Sequence, residues 1–105
     1  MAIPVRGEVW IVDLGLAQKT RPALIISREY SDVDRALITV VPHTTAIRNS
    51  EFEVSVEVGF LAKPGAFMTQ GIASVPSIQA KRRLGVLTPQ QVAKVEEKVR
   101  SWLSL

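Results

Sequence analysis

Three side chains that could act on a phosphodiester stand at the ends of two predicted strands. Arg21 comes just before the apolar run 23–26, and His43 and Thr44 follow the apolar run 36–41. Arginine keeps its positive charge at ordinary pH and offers a planar set of N–H donors that matches phosphate. Residues held at the ends of rigid strands are often the working residues of a site. An arginine at this position can equally cap the strand end and face water.

The two strands are close in the sequence, which favours antiparallel pairing. This pairing would place the start of the first strand beside the end of the second, so that Arg21 faces Thr44. A guanidinium and a hydroxyl near one phosphodiester can stabilise the charge that develops on phosphorus. On RNA the neighbouring 2′-hydroxyl is the nucleophile, so such a site needs no metal ion to activate water. Turn formation through the hydroxyls of Thr44 and Thr45 is the alternative, and the residues alone leave both interpretations open.

Several other chemistries lack the residues that they need. The chain has no cysteine and one histidine, His43, which excludes a metal centre built from these two residue types. No acidic residues recur at a spacing typical of a carboxylate metal site, and neither a Gly-x-Ser-x-Gly turn nor a glycine-rich phosphate loop is present. We therefore expect no metal ion and no other cofactor. His43 could act as an acid or base near neutral pH, and the alternative, which we favour, is that it is a bystander.

Length and composition are those of a single globular domain, residues 1–105. Hydrophobic residues make up 47% of the 105 residues and charged residues 22%. No apolar run approaches the roughly 18 residues that cross a bilayer, and the N-terminus lacks the features of a signal peptide, so we expect a cytoplasmic protein. The net charge is +3, and residues 81–105 hold six basic and two acidic side chains. Such a local surplus attracts polyanions, including nucleic acid.

The pattern of apolar residues predicts strands followed by one helix. Strands are expected at 8–14, 23–26, 36–41, 51–57 and 66–72, with a short apolar return at 85–87. The clearest is 51–57, whose strict alternation is typical of an antiparallel sheet with one face in water.

A helix is predicted to begin after Thr88. This residue is followed by proline at the first helical position and by Gln91 where a capping box requires it. Apolar residues then recur at helical spacing, at Val92, Val95, Val99 and Trp102. The sequence therefore predicts a mainly β (α+β) fold, a small antiparallel barrel with a C-terminal helix.

Four blocks of the chain resemble successive motifs of the MazF/PemK (Kid) toxin family. They are residues 6–10 (RGEVW), 20–27 (TRPALIIS), 40–44 (VVPHT) and 83–87 (RLGVL). The resemblance extends over nearly the whole chain and implies an SH3-like antiparallel barrel with a C-terminal helix, assembled as a homodimer. It also implies metal-independent, sequence-specific cleavage of single-stranded RNA (mRNA) to 2′,3′-cyclic phosphate and 5′-OH ends. A cognate antitoxin is the implied protein partner.

The resemblance also assigns roles to individual residues. The family's catalytic arginine falls on Arg21 and its catalytic threonine on Thr44. The residues that we expect to contact RNA are polar or basic: Lys19, Thr20, Thr45, Arg48, Gln70, Lys81 and Arg82. Gln70 resembles a glutamine near the family's RNA groove, although Gly71 disturbs the alignment. The connection 15–20 departs from the family, because it lacks the Gly-Ser-Glu that often precedes the arginine, and His43 stands where an apolar residue is usual.

Two other functions are compatible with this resemblance. CcdB-like toxins share the architecture, bind a protein target (gyrase) without cleaving RNA, and act through their extreme C-terminus, including a tryptophan. Trp102 resembles that tryptophan, but it lies on the predicted apolar face of the helix, where core packing explains it better. An RNA-binding module without activity is the other alternative. The joint presence of Arg21 and Thr44 favours the enzyme.

Overall fold

Seven strands and one long helix make up the part of the chain that the computed structural model describes, residues 3–15 and 19–105. In chain order they are β1 (Glu8–Asp13), β2 (Thr20–Ile25), β3 (Leu37–Thr44), β4 (Glu53–Val54), β5 (Ala66–Met68), β6 (Ala73–Pro76), β7 (Ala80–Val86) and α1 (Pro89–Leu103). Two short 3₁₀ turns lie at Thr69–Gly71 and Ser77–Gln79. None of the described helices is long and apolar enough to cross a membrane.

The strands pair antiparallel in the order β4-β5-β3-β2-β1-β7, and β6 also pairs with β3. The prediction of a mainly β fold with a C-terminal helix is therefore confirmed. The predicted barrel, however, stays open, because no ladder among the described residues joins the end strands β4 and β7. β4 has only two residues, which is too short to extend the sheet toward β7.

Both faces of the central strands are buried. On β1, Val9 belongs to one apolar cluster, while Trp10 and Val12 belong to another. The first cluster is covered by α1 through Val92, Val95 and Val99. With apolar contacts on both sides, β2 can be apolar without alternation, and its last three residues are fully buried.

The start of α1 follows the sequence prediction. The Thr88 hydroxyl accepts the Gln91 N–H at 3.2 Å, and the Gln91 side-chain oxygen accepts the Thr88 N–H at 2.9 Å. This reciprocal pair is the predicted capping box. The predicted apolar face holds through Val99, but Trp102 is 41% exposed and packs its ring edge-on against Phe52 at 5.3 Å.

The two strands that carry Arg21 and Thr44 are longer than predicted. β2 begins before the apolar run 23–26, since Arg21 pairs with Val12 of β1. β3 continues through Pro42 to Thr44, beyond the predicted end of strand 36–41. It continues because β5 offers a second partner to His43 and Thr44.

The other strand predictions were more accurate about which side chains are buried than about where each strand begins and ends. In 51–57, Val54 is buried and its neighbours on both sides are more exposed, as the alternation predicts, yet only Glu53–Val54 pairs. The predicted strand 66–72 divides into β5 and the turn Thr69–Gly71, where the Thr69 hydroxyl donates to the Phe52 carbonyl at 2.6 Å. β6 was not predicted, and the return at 85–87 is the end of the longer β7.

Candidate active site

β2 and β3 separate at one end, and the gap between them is the candidate site. Their antiparallel pairing, predicted from sequence, is confirmed, and the ladder ends at the pair Ala23–Pro42. Pro22 and Pro42 both lack an N–H group, so regular hydrogen bonding cannot continue there. Extending the same register by two residues sets Arg21 opposite Thr44.

The gap opens into a pocket with a volume of about 490 Å³. It is lined by the start of β2, the end of β3 with the turn that follows, and the connection from β4 to β5: Lys19, Thr20, Arg21, Pro22, His43, Thr44, Thr45, Ala46, Leu61, Ala62 and Lys63. Three of these side chains are cations, and none of the described lining residues is a carboxylate. A pocket with this charge favours an anionic ligand such as a phosphodiester.

Arg21 is held by its backbone on a paired strand. It stands opposite Val12 of β1 and is half-buried. Because side chains alternate along a strand, Arg21 shares a face of the sheet with the buried Ala23. The guanidinium is therefore carried by a rigid backbone position at the edge of the pocket.

The Thr44 hydroxyl forms the turn contact that was one of the two interpretations left open by the sequence. Its hydroxyl oxygen accepts the N–H of Ala46 at 3.0 Å, so the turn role is real. A threonine hydroxyl also carries one O–H donor, which this bond does not use. The turn thus fixes the oxygen in place while leaving its proton able to bond a phosphate oxygen.

His43 lies among apolar groups even though it borders the pocket. It is 6% exposed, and its ring packs edge-on against Phe67 with 5.1 Å between ring centres. Burial lowers the pKa of His43 from its ordinary value of 6.5, so the ring is neutral at pH 7. These surroundings favour the bystander role over that of an acid or base.

The lowered pKa of His43 predicts a loss of stability in mild acid. As the pH falls below 6.5, the unfolded chain takes up the proton before the folded chain does, which favours unfolding. We expect His43→Gln to remove this component, so that its free energy of unfolding falls less between about pH 7.5 and about pH 5.5 than that of the wild type. Urea unfolding at each pH measures the difference. If the free energy of unfolding fell equally with pH in the two proteins, His43 would not be the source of the acid sensitivity.

Three of the seven residues predicted to contact RNA line the pocket, namely Lys19, Thr20 and Thr45. Lys81 and Arg82 instead lie on β7 and border a second cleft. Ala80 pairs with Val12, which pairs with Arg21, so this end of β7 lies two strand spacings, about 10 Å, from Arg21.

Arg48 and Gln70 also lie away from the pocket. Arg48 is exposed in the turn after β3, where its backbone N–H donates to the Glu53 carboxylate at 3.0 Å. Gln70 is exposed in the turn after β5. The adjoining Gly71 packs against β3 so closely that an added Cβ would lie 2.8 Å from Pro42 Cγ. This close packing accounts for the glycine that disturbs the alignment around Gln70.

One wall of the pocket was not predicted. Leu61, Ala62 and Lys63 lie between the predicted strands 51–57 and 66–72, where the sequence analysis named no site residue. Residues 16–18 of the connection 15–20 lie outside the described residues. Within 3–15 and 19–105, no group of three or more His, Asp or Glu side chains is arranged to hold a metal ion.

Comparison with known proteins places this site in a family. The model of a family described as PemK-like, MazF-like toxin of type II toxin–antitoxin system matches residues 5–103. The chain belongs to this family. The match includes β1 to β7 and α1, and therefore every element that lines the pocket.

Similar proteins are found among mycobacterial members of the family. The endoribonuclease MazF3 of Mycobacterium tuberculosis is 28% identical over 89 residues, which cover 84% of this chain and 86% of that protein. The structure of the Mycobacterium tuberculosis toxin MazF-mt6 has a TM-score of 0.80 and 28% identity, and covers 93% of this chain and 97% of that one. An endoribonuclease in complex with its cognate antitoxin, from a mycobacterial species, has a TM-score of 0.81 and 26% identity over 97% of this chain and 96% of that one.

Proposed function

We propose that this chain is the toxin of a type II toxin–antitoxin system and cleaves single-stranded RNA, mRNA above all, without a metal ion. The observation that carries the proposal is the placement of Arg21 and Thr44 in one cationic pocket of a MazF-like fold. The name of the similar MazF3, an endoribonuclease, supports the same activity. The whole of residues 1–105 acts as one domain.

The reaction that suits these residues is an attack by the 2′-hydroxyl on the adjacent phosphorus. The O2′–P bond forms while the P–O5′ bond breaks, which leaves a 2′,3′-cyclic phosphate and a 5′-hydroxyl. The 2′-hydroxyl proton passes to solvent, and the leaving 5′-oxygen takes a proton from solvent. Arg21 stabilises the charge that builds on the phosphoryl oxygens, and the Thr44 hydroxyl donates to one of them.

The proposed partners follow from the family. The similar endoribonuclease that was solved with its cognate antitoxin supports an antitoxin as protein partner of this chain as well. We infer a homodimer, because an open sheet leaves strand edges that association can cover. We also propose that the protein acts in the cytoplasm. Trp102, the residue that suggested a CcdB-like protein binder, packs against Phe52 and needs no partner to explain it.

Cleavage should continue in the presence of a chelator. The described pocket lining contains cations and hydroxyls but no carboxylate, so the chemistry rests on groups that EDTA does not remove. The purified protein is incubated with a long RNA in excess EDTA, and the cut ends are mapped for 2′,3′-cyclic phosphate and 5′-hydroxyl. If EDTA stopped the cutting and a divalent ion restored it, the proposed mechanism would be wrong.

A further inference from the structure

Residues 61–63 form one wall of the pocket, and they belong to the connection between β4 and β5, residues 55–65. The connection has no regular secondary structure, yet its apolar side chains are packed against the protein. Val56, Val58, Phe60 and Leu61 all lie against the apolar cluster beneath α1. The segment is therefore a fixed part of the structure, and the pocket residues that it carries have defined positions.

Phe60 anchors this segment on the far strand of the sheet. Its ring occupies the space that a side chain would take at Gly85 of β7. A Cβ added to Gly85 would lie 2.3 Å from Phe60 Cδ2 and 2.6 Å from its Cε2 and Cγ. Such distances are far shorter than any ordinary contact between carbon atoms, so only glycine admits the ring here.

Gly65 anchors the other end of the segment on β3, the strand that carries Thr44. A Cβ at Gly65 would lie 2.2 Å from the Thr44 carbonyl oxygen and 2.6 Å from His43 Cε1. Between these two glycine contacts lies Lys63, which is exposed and lines the pocket together with Arg21 and Lys19.

We propose that Lys63 is an RNA-contacting residue, binding a phosphate next to the one that is cleaved, and that Phe60 packed on Gly85 is its positioning contact. The proposal rests on the proposed function for the identity of the ligand. A lysine on a segment anchored at both ends can bind such a phosphate, because its ammonium is a compact point charge on a long, flexible side chain that can reach along the RNA backbone. Arg21 would bind the phosphate that is cleaved, and Lys63 would bind the next phosphate along the RNA.

The test measures binding of a probe that cannot be cut. A mixed-sequence 2′-O-methyl RNA has no 2′-hydroxyl to attack, and its dissociation constant is measured over a range of salt concentrations. Loss of one phosphate contact on a single strand reduces the slope of log affinity against log salt by about 0.7. We expect this reduction for Lys63→Gln and no change for Arg35→Gln, whose arginine is exposed in the connection between β2 and β3.

A second pair of variants tests the anchor. Gly85→Ala should displace Phe60 and reduce the salt slope as Lys63→Gln does, and the double variant should show no further reduction. Gly59→Ala is the matched control, because an added Cβ there has nothing within 4 Å. Circular dichroism and urea unfolding establish that each variant is folded, and Phe60→Leu replaces Gly85→Ala if the latter is not.

The results separate this proposal from the proposed function. A wild-type protein that binds the probe with a Lys63-dependent slope but leaves natural RNA intact would retain the Lys63 contact and overturn the nuclease. A wild-type protein that cuts RNA while Lys63→Gln keeps the full salt slope would retain the nuclease and overturn the contact. If Gly85→Ala or Phe60→Leu bound the probe with an unchanged slope, the anchoring role would be wrong.

Discussion

Arg21→Ala should cut RNA about 10²–10³-fold more slowly than the wild type while remaining folded, since this is the usual cost of losing one donor that stabilises transition-state charge. Arg21 lines a cationic pocket, where its charge can stabilise a bound phosphodiester. Its backbone is paired with Val12, so the substitution leaves the strand in place. Initial rates on a long RNA, measured at saturating substrate, give the comparison.

Two companion variants make the Arg21 result specific. Arg21→Lys keeps the charge but loses the planar fork of donors, so it should recover only part of the lost rate. Arg35→Ala removes an exposed arginine from the connection between β2 and β3 and should keep the wild-type rate. Wild-type cleavage by Arg21→Ala would remove the residue from the mechanism.

Thr44→Val should lower cleavage by about 10²-fold, because valine keeps the branched shape of threonine but cannot donate to a phosphate oxygen. The variant also loses the bond from the Ala46 N–H, a change of about 1 kcal/mol in the free energy of unfolding. Thr44→Ser retains the hydroxyl and should keep most of the activity. Single-turnover rates separate the chemical step from RNA binding.

Thr39→Val is the control for the Thr44 substitution. Thr39 lies on the same strand, and its hydroxyl bonds the Ser74 hydroxyl at 2.7 Å, away from the pocket. This variant should lose a similar amount of stability and no activity. Equal activity losses at the two positions would show that the hydroxyl of Thr44 acts through the fold alone.

The parts of the fold that could be predicted rest on local signals. The start of α1 was predicted because its signals lie within one turn: Thr88 and Gln91 form the capping box, and Pro89 occupies the first helical position. The pairing of β2 with β3 followed from two apolar runs separated by a short connection, and it predicted that Arg21 faces Thr44. The full extent of both strands was missed, because each strand continues beyond its apolar run, through a proline, into polar residues.

The parts that could not be predicted depend on contacts between distant residues. The alternation in 51–57 reports which side chains turn inward, but only two of these residues find a strand to pair with. The position of residues 61–63 depends on the contact between Phe60 and Gly85, which are distant in the sequence. Nothing in the residues next to either of them predicts this contact. The positions of Lys81 and Arg82 depend on the register of β7 against β1, which composition does not reveal.

The gap between β2 and β3 has a consequence for how the toxin can be controlled. Arg21 is fixed from outside the gap by β1, and Thr44 is fixed from outside it by β5. The backbone positions of both proposed catalytic residues are thus fixed by strands outside the gap, so we expect the pocket to have the same shape in the free protein. Hydrogen exchange should therefore be slow at both backbone positions with or without RNA. We therefore expect inhibition to require a partner that occupies or covers the pocket, because neither of these two strand positions can be withdrawn without breaking its pairing.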